Sequence, residues 1–251
     1  MATKSNIEWT EMTWNPVTGC TKVSQGCKNC YANRMALRLK AMGSERYSNG
    51  FKPTVHEDLV DLPKKWRKPR IIFVNSMSDL FHEDIPESFI KRVFATMRDC
   101  PQHTFQVLTK RSKRLLKMGS TLDWPSNVWM GVSIESADVM SRITDLATTP
   151  AKVRFLSCEP LIGPLDRIPL DGIHWVIVGG ESGPGARSME SLWAESIQMQ
   201  CHEAGVPFFF KQWGGVRKHT TGRTLNGHTF DEMPEIAYAG LQNRDLIQIA
   251  S

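Results

Sequence analysis

Apolar positions along the chain gather into short, nearly continuous runs that break off abruptly in polar residues. RIIFVNSMSD (Arg70–Asp79), TFQVLTKR (Thr104–Arg111), NVWMGVSIES (Asn127–Ser136), KVRFLSCEP (Lys152–Pro160), HWVIVGGESG (His174–Gly183) and VPFFFKQWGG (Val206–Gly215) share this form. They lack strict alternation, and continuous apolar strands are what a parallel sheet covered on both faces requires. Segments of helical period lie between them. PESFIKRVFATMRDC opens with Pro86, suited to a first helical turn, and puts Phe89, Val93, Phe94 and Met97 on one stripe. SADVMSRITDLA and MESLWAESIQMQCHEAG read alike, the second ending on Gly205 as a C-cap.

The strand starts recur about every 22–34 residues, the pitch of successive βα units. MTWNPVTG near the start supplies a seventh strand. The chain therefore reads as one α/β domain over residues 1–251, a parallel β/α barrel, partial or complete. Residues 216–251, where the pattern stops, read as a C-terminal cap or tail. A doubly wound open sheet is the alternative. Both folds bind ligands beyond the C-terminal ends of their strands. There the sequence places Asn75, Ser76 and Asp79, then Thr109, Lys110 and Arg111, then Ser133 and Glu135, then Ser157 and Glu159. Gly179 to Ser182 and Lys211 to Trp213 follow. Strand after strand ending in polar groups predicts a polar pocket at one rim.

Composition narrows the setting. A chain of 251 residues, 41% hydrophobic and 23% charged, can bury a core without disulfides. Neither a secretory signal nor an apolar run of the roughly 18 residues that span a bilayer is evident, so the expectation is a cytoplasmic protein without a membrane partner. In a reducing compartment, clustered cysteines are more often metal-binding or catalytic than disulfide-bonded. The net charge of +5 adds little by itself. Basic clusters around Trp66 (Lys64, Lys65, Arg67, Lys68, Arg70), along Lys110–Lys117 and near Trp213 (Arg217, Lys218, Arg223) fit two descriptions. They are solvated faces, or a nucleic-acid track on which Trp66 and Trp213 stack a base.

Cys20, Cys27 and Cys30 are spaced C-x6-C-x2-C in TGCTKVSQGCKNCYANRMALRLK, whereas Cys100, Cys158 and Cys201 are scattered singly in apolar segments. The loop is too polar for a core. Structural zinc would need a fourth ligand from His56, His82, His103 or a distant cysteine. A four-iron cubane on three thiolates would leave one iron open. A helix follows, with Met35, Leu39 and Met42 on one stripe and an N-terminus suited to an anionic group. Gly19 and Gly26 allow the loop to fold tightly around a bulky ligand. Both metal readings stand at this level.

The blocks TWNPVTGCTKVSQGCKNCYA, FVNSMSDLFHEDIP, WVIVGGESGPGAR and PFFFKQWGG resemble a phage- and prophage-encoded family of the radical S-adenosylmethionine superfamily, distantly similar to spore photoproduct lyase. The resemblance runs over about residues 6–215. The usual loop of that superfamily is C-x3-C-x2-C, so three more residues separate the first two cysteines here. The resemblance implies a [4Fe–4S] cluster on Cys20, Cys27 and Cys30, S-adenosylmethionine as its partner, a 5′-deoxyadenosyl radical, and an external electron donor. It also implies Tyr31 near the adenine, with Asn75, Ser76 and Asp79 accepting the methionine ammonium. Ser133, Glu135 and Glu159 are then candidates for ribose hydroxyls or substrate, and Lys110 and Arg111 for a carboxylate or phosphate. Cys158, at a strand end, is the candidate hydrogen-atom donor. Gly179–Glu181 is either a close approach to ligand or a tight turn. Three functions follow: modification or repair of a base in DNA or RNA, the same chemistry on a free nucleotide or small metabolite, or a zinc-containing nucleic-acid-binding module.

Overall fold

A computed structural model describes residues 3–5 and 7–235 of the chain. Its strands are β1 (Thr3–Lys4), β2 (Met12–Trp14), β3 (Val17–Thr18), β4 (Thr54–Val55) and β5 (Ile71–Val74). They continue with β6 (Thr104–Thr109), β7 (Val128–Ser133), β8 (Val153–Cys158), β9 (Trp175–Gly179) and β10 (Phe208–Gln212). The helices are α1 (Tyr31–Ala41), α2 (Glu87–Arg98), α3 (Ser112–Met118), α4 (Ser141–Ala147), α5 (Ser191–Ala204) and a short α6 (Lys218–Thr221). The main sheet runs β1-β2-β5-β6-β7-β8-β9-β10, with β1 antiparallel and every later neighbour parallel. Spatial order follows chain order without a reversal. That is a partial parallel β/α barrel, and it replaces the doubly wound alternative, whose strand order would reverse at a switch point.

Strand periodicity explains the two cores. Side chains on one face of the sheet, such as Ile72, Val74, Phe105, Val107, Met130, Val132, Leu156 and Val178, join the main core with Phe89, Val93, Phe94 and Met97 of α2. Alternate positions turn to the other face and form an aromatic layer of Trp9, Phe73, Trp129, Phe155, Trp175 and Phe209. Trp175 sits at its centre, edge-on to Trp9, Trp129 and Phe209 with ring centroids 6.0–6.1 Å apart. Gly131 makes room for this layer, since a Cβ there would lie 2.4 Å from the Phe155 ring. Burying each such side chain contributes about 1.5–3 kcal/mol. The layer closes one end of the half-barrel and leaves the C-terminal strand ends open.

Gly205 caps α5 in the left-handed region at φ 64°, as its place in the sequence predicts. Pro86 is the N-cap of α2, one residue before the first turn. The stripe expected for α1 is not its buried face. Met35 and Met42 are exposed, while Ala32 and Ala36 are buried in a small cluster with Met77. Small side chains let α1 lie close against the loop after β5, so packing distance overrides hydrophobic size. Residues 222–235 return along β10, where Phe210 N donates to Phe230 O (2.9 Å) and Phe208 N to Glu232 Oε2 (2.8 Å). They cover the open sheet edge. The rest of the expected cap or tail, 236–251, lies outside the described residues. No described helix is long and apolar enough to cross a membrane.

Candidate functional site

A cavity of about 450 Å³ opens at the C-terminal strand ends. Trp9, Phe73 and Leu108 floor it with the edge of the aromatic layer. Cys20, Cys27 and Cys30 form one wall, and Ser157, Glu159, Lys211 and Gln212 are on others. All three thiols are free and half-buried.

The cysteine wall is held by protein on both sides. Gly19, at φ 81°, starts it, and a Cβ there would meet the Lys52 carbonyl at 2.1 Å. A Cβ at Gly26 would lie 2.6 Å from Glu135 Oε1. The crowding at both glycines is therefore against protein, not against the ligand expected from the sequence. Ser24 donates to Glu135, whose other oxygen accepts from Arg142 Nη1 at 2.6 Å. Opposite, Asn29 Nδ2 donates to Glu181 Oε2 (2.9 Å) and Gly185 O (2.7 Å), and Arg187 Nη2 reaches Gln25 O (3.1 Å). Arg187 also clasps Glu181 through Nε (2.9 Å) and Nη2 (2.6 Å). Burial would raise the Glu181 carboxyl, but these donors outweigh it and hold the group down to about 2. Arg34 of α1 bonds Ser182 O and Pro184 O. The segment after β9 is thus a strap across the cysteine loop.

Cys20 lies against Arg111, whose Nη1 is 3.3 Å from its sulfur. Burial and the Asp79 carboxylate push the Cys20 thiol up to about 11 against the opposing Arg111 charge. Cys27 Sγ has the Ser24 hydroxyl at 3.9 Å. Cys30 is the N-cap residue of α1, and Tyr31 opens the helix with its hydroxyl donating to Ser76 O.

Several sequence expectations change here. Asp79 lines the cavity, yet its oxygens accept from Phe81 N, Thr109 Oγ1, Lys110 N and Arg111 Nη1 at 2.7–3.3 Å. It has no capacity left for an ammonium. Asn75 turns the chain after β5 at φ 63° and uses Oδ1 to accept Val17 N–H, so its buried Nδ2 is left as a donor without a partner. It offers a donor where the sequence suggested an acceptor. Ser76 Oγ donates to Asn15 Oδ1 (3.2 Å). Glu135 is fully buried, does not line the cavity and serves as a strut. Cys158 is fully buried in the main core, because adjacent strand residues face opposite ways and Ser157 takes the cavity side. It cannot deliver a hydrogen atom to the cavity. Ser133 lines the cavity with a buried, unpartnered Oγ, Glu159 pairs with Lys211 (3.0 Å), and Lys110 completes the rim. Gly180 is a tight turn, since a Cβ there would overlap the Trp213 carbonyl at 1.9 Å.

Among the described residues no three His, Cys, Asp or Glu side chains converge closely enough to hold a single metal ion. His56 and His82 bond Thr18 and Thr21, His103 packs beside Trp66, and none of the three lines the cavity. The buried atoms Asn75 Nδ2, Ser133 Oγ and Gln212 Oε1 on the same cavity lack partners. Such atoms are costly unless something binds them. The residues present fit a three-thiolate cluster with a polar ligand beside it.

The profile of a family described as "Protein of unknown function (DUF5131)" matches residues 4–234. The chain belongs to this family. No curated protein matches it. Solved structures that resemble the DUF5131 chain include a spore photoproduct lyase mutant with bound AdoMet and dinucleoside spore photoproduct, 12% identical, TM-score 0.48. The lyase complexed with dinucleoside spore photoproduct is also 12% identical, TM-score 0.46. Each alignment covers 80% of this chain and 63% of the other, so the DUF5131 chain spans less than two thirds of their length.

Reading strand ends missed the residues that hold the site in this DUF5131 protein: Asn15, Ser24, Asn29, Arg142 and Arg187. Arg187 lay in GPGAR and Asn15 before a proline, turn-rich stretches where polar side chains bond backbone or neighbouring loops, whereas Ser24, Asn29 and Arg142 carried no such signal. Trp66 and Trp213, the stacking candidates of the nucleic-acid alternative, pack against the main core, and Trp213 Nε1 donates to Thr224 O (2.8 Å).

Proposed function

We propose that this chain is a radical S-adenosylmethionine enzyme acting on a nucleobase of DNA or RNA, with Cys20, Cys27 and Cys30 holding a [4Fe–4S] cluster. The observation that carries the reading is three free thiols on one wall of a cavity whose lining also holds unpartnered buried polar atoms. Cys20, Cys27 and Cys30 would hold such a cluster, which would supply the electron for reductive cleavage of S-adenosylmethionine to a 5′-deoxyadenosyl radical. An external one-electron donor in a reducing cytoplasm supplies it.

The chain's own residues have distinct tasks. Asn75, Ser133 and Gln212 line the cavity that would receive the bound molecule. Lys110 adds positive charge at the rim, and Ser76 is held by Asn15 and the Tyr31 hydroxyl to shape the edge beside the adenine. Glu159 and Lys211 present a paired acceptor and donor to the edge of a base. Trp9, Phe73 and Leu108 exclude water beneath it. Glu135 and the Glu181–Arg187 pair position the loop without touching the reacting molecules.

One observation favours a free nucleotide as substrate instead. Lys64, in the turn of residues 62–65, and Arg70, just before β5, pair with Asp61, Asp99 and Glu11. Arg114 and Lys113 are spent on His82 O, Ile85 O and Asp145. The deciding experiment is anaerobic reconstitution followed by strong reductant and S-adenosylmethionine, with and without DNA or RNA. The expected result is 5′-deoxyadenosine, with release stimulated by polynucleotide and a binding constant that falls steeply with salt. Salt-independent binding of mononucleotide alone selects the second reading. Zinc without iron removes both and leaves the binding module.

A further inference from the structure

Arg111 is 8% exposed just beyond the end of β6, and its five N–H groups meet five acceptors. Nε donates to Glu83 Oε2 (2.8 Å), and Nη2 to Thr21 O (3.2 Å) and Thr21 Oγ1 (2.9 Å). Nη1 donates to Asp79 Oδ2 and to Cys20 Sγ, each at 3.3 Å. A guanidinium saturated in this way cannot swing aside to bind substrate, so the carboxylate or phosphate contact expected of Arg111 is not available. Its one sulfur contact is with a thiol of the proposed cluster. Among the described residues Cys20 is the one member of the triad with a cationic donor, whereas Cys27 is met by a neutral hydroxyl.

We propose that Arg111 is a positioning residue that raises the reduction potential of the cluster through Cys20, an inference that rests on the cluster reading above. A four-iron cluster with three thiolates is anionic, and one-electron reduction adds a further negative charge to it. A rigid cation donating to a ligand sulfur from a buried site stabilises the reduced form more than the oxidised form. The effect reaches one corner of the cluster, leaving the other thiols without an equivalent charge. Asp79 and Glu83 fix the fork and offset part of its charge. Glu83 is the adjustable part, because its side chain is 63% exposed while Asp79 is at 8%. Lysine would keep the charge but not the planar fork that spans Glu83, Thr21, Asp79 and Cys20.

The test reconstitutes the wild type, R111Q, R111K and E83Q anaerobically, counts iron, and titrates the reduced electron paramagnetic resonance signal against potential. R111Q is expected to shift the reduction equilibrium about ten-fold towards the oxidised cluster, about 59 mV for a one-electron couple. R111K falls between it and the wild type. E83Q moves the other way and by less, because it removes a solvent-screened negative charge. Opposite signs for R111Q and E83Q are the signature of charge acting on the cluster. A merely structural role gives the same sign for both or no shift, and overturns the proposal. R111Q with full iron and a wild-type potential overturns it too. Should R111Q lose its iron, the signs of R111K and E83Q decide. Wild-type protein that takes up no iron overturns the cluster reading itself, before any variant is compared.

Discussion

The six cysteines divide into two triads that differ in almost every respect except the thiol. Cys100, Cys158 and Cys201 are at most 1% exposed and belong to the main core. Burial pushes Cys100 up to about 11 and Cys201 to about 12, and raises Cys158 well above its ordinary value. These are small hydrophobes with an inert S–H. Cys20, Cys27 and Cys30 are half-buried on a loop tied by charged groups, with a guanidinium at one sulfur and a cavity in front of all three. Burial raises Cys20 as well. What separates the triads is their surroundings: the packed main core for one, and ordered donors with open space for the other.

The comparison breaks most sharply under substitution. C20A, C27A or C30A is expected to abolish iron uptake, while C100A and C201A keep the wild-type iron content, as read by metal analysis after anaerobic reconstitution. Equal iron in both sets would erase the distinction. The strap comes next. Glu181 is held at about 2 against an ordinary 4.5, so its contribution is fully present above pH 4.5 and is lost as pH falls towards 2. That contribution is on the order of 3 kcal/mol. In E181Q the acid limb of a stability profile measured by urea unfolding between pH 5 and 2 should flatten. An unchanged limb would mean the strap is not held by charge.

C158S is expected to cost about 1–3 kcal/mol by burying a hydroxyl among apolar neighbours, with iron content unchanged. Loss of S-adenosylmethionine cleavage at full stability would return Cys158 to the site. The smallest effect is expected at Ser133. Its buried hydroxyl has no partner, so S133A should leave stability unchanged or raise it by up to about 1 kcal/mol while weakening S-adenosylmethionine binding in a calorimetric titration. A destabilised S133A with full affinity would show that the hydroxyl serves the fold.

The repeat of apolar runs made the barrel legible, because a strand covered on both faces leaves an unmistakable continuous pattern. Strand ends correctly pointed to Asn75, Ser133, Glu159 and Lys211 as cavity-lining residues. Adjacent residues at the same ends were harder. Ser157 and Cys158 look equivalent in the sequence, and only the strand's direction of twist and entry decides which faces inward. Asp79 and Glu135 read as free carboxylates because their partners, Arg111 and Arg142, are donated by the next βα loop or helix. α1 misled for a different reason: its alanines are buried because a backbone must come close, which hydrophobic size does not reveal. The β3–β4 ribbon left no signal, being two residues long on each side.

The central claim is that the polar triad holds an iron–sulfur cluster with a coordination position open to S-adenosylmethionine. The most direct measurement is the electron paramagnetic resonance spectrum of the anaerobically reconstituted, reduced protein before and after S-adenosylmethionine is added. The account predicts a four-iron signal that changes on addition and is absent from C27A. A signal from wild-type protein indifferent to S-adenosylmethionine, or a protein loaded with zinc alone, would contradict it.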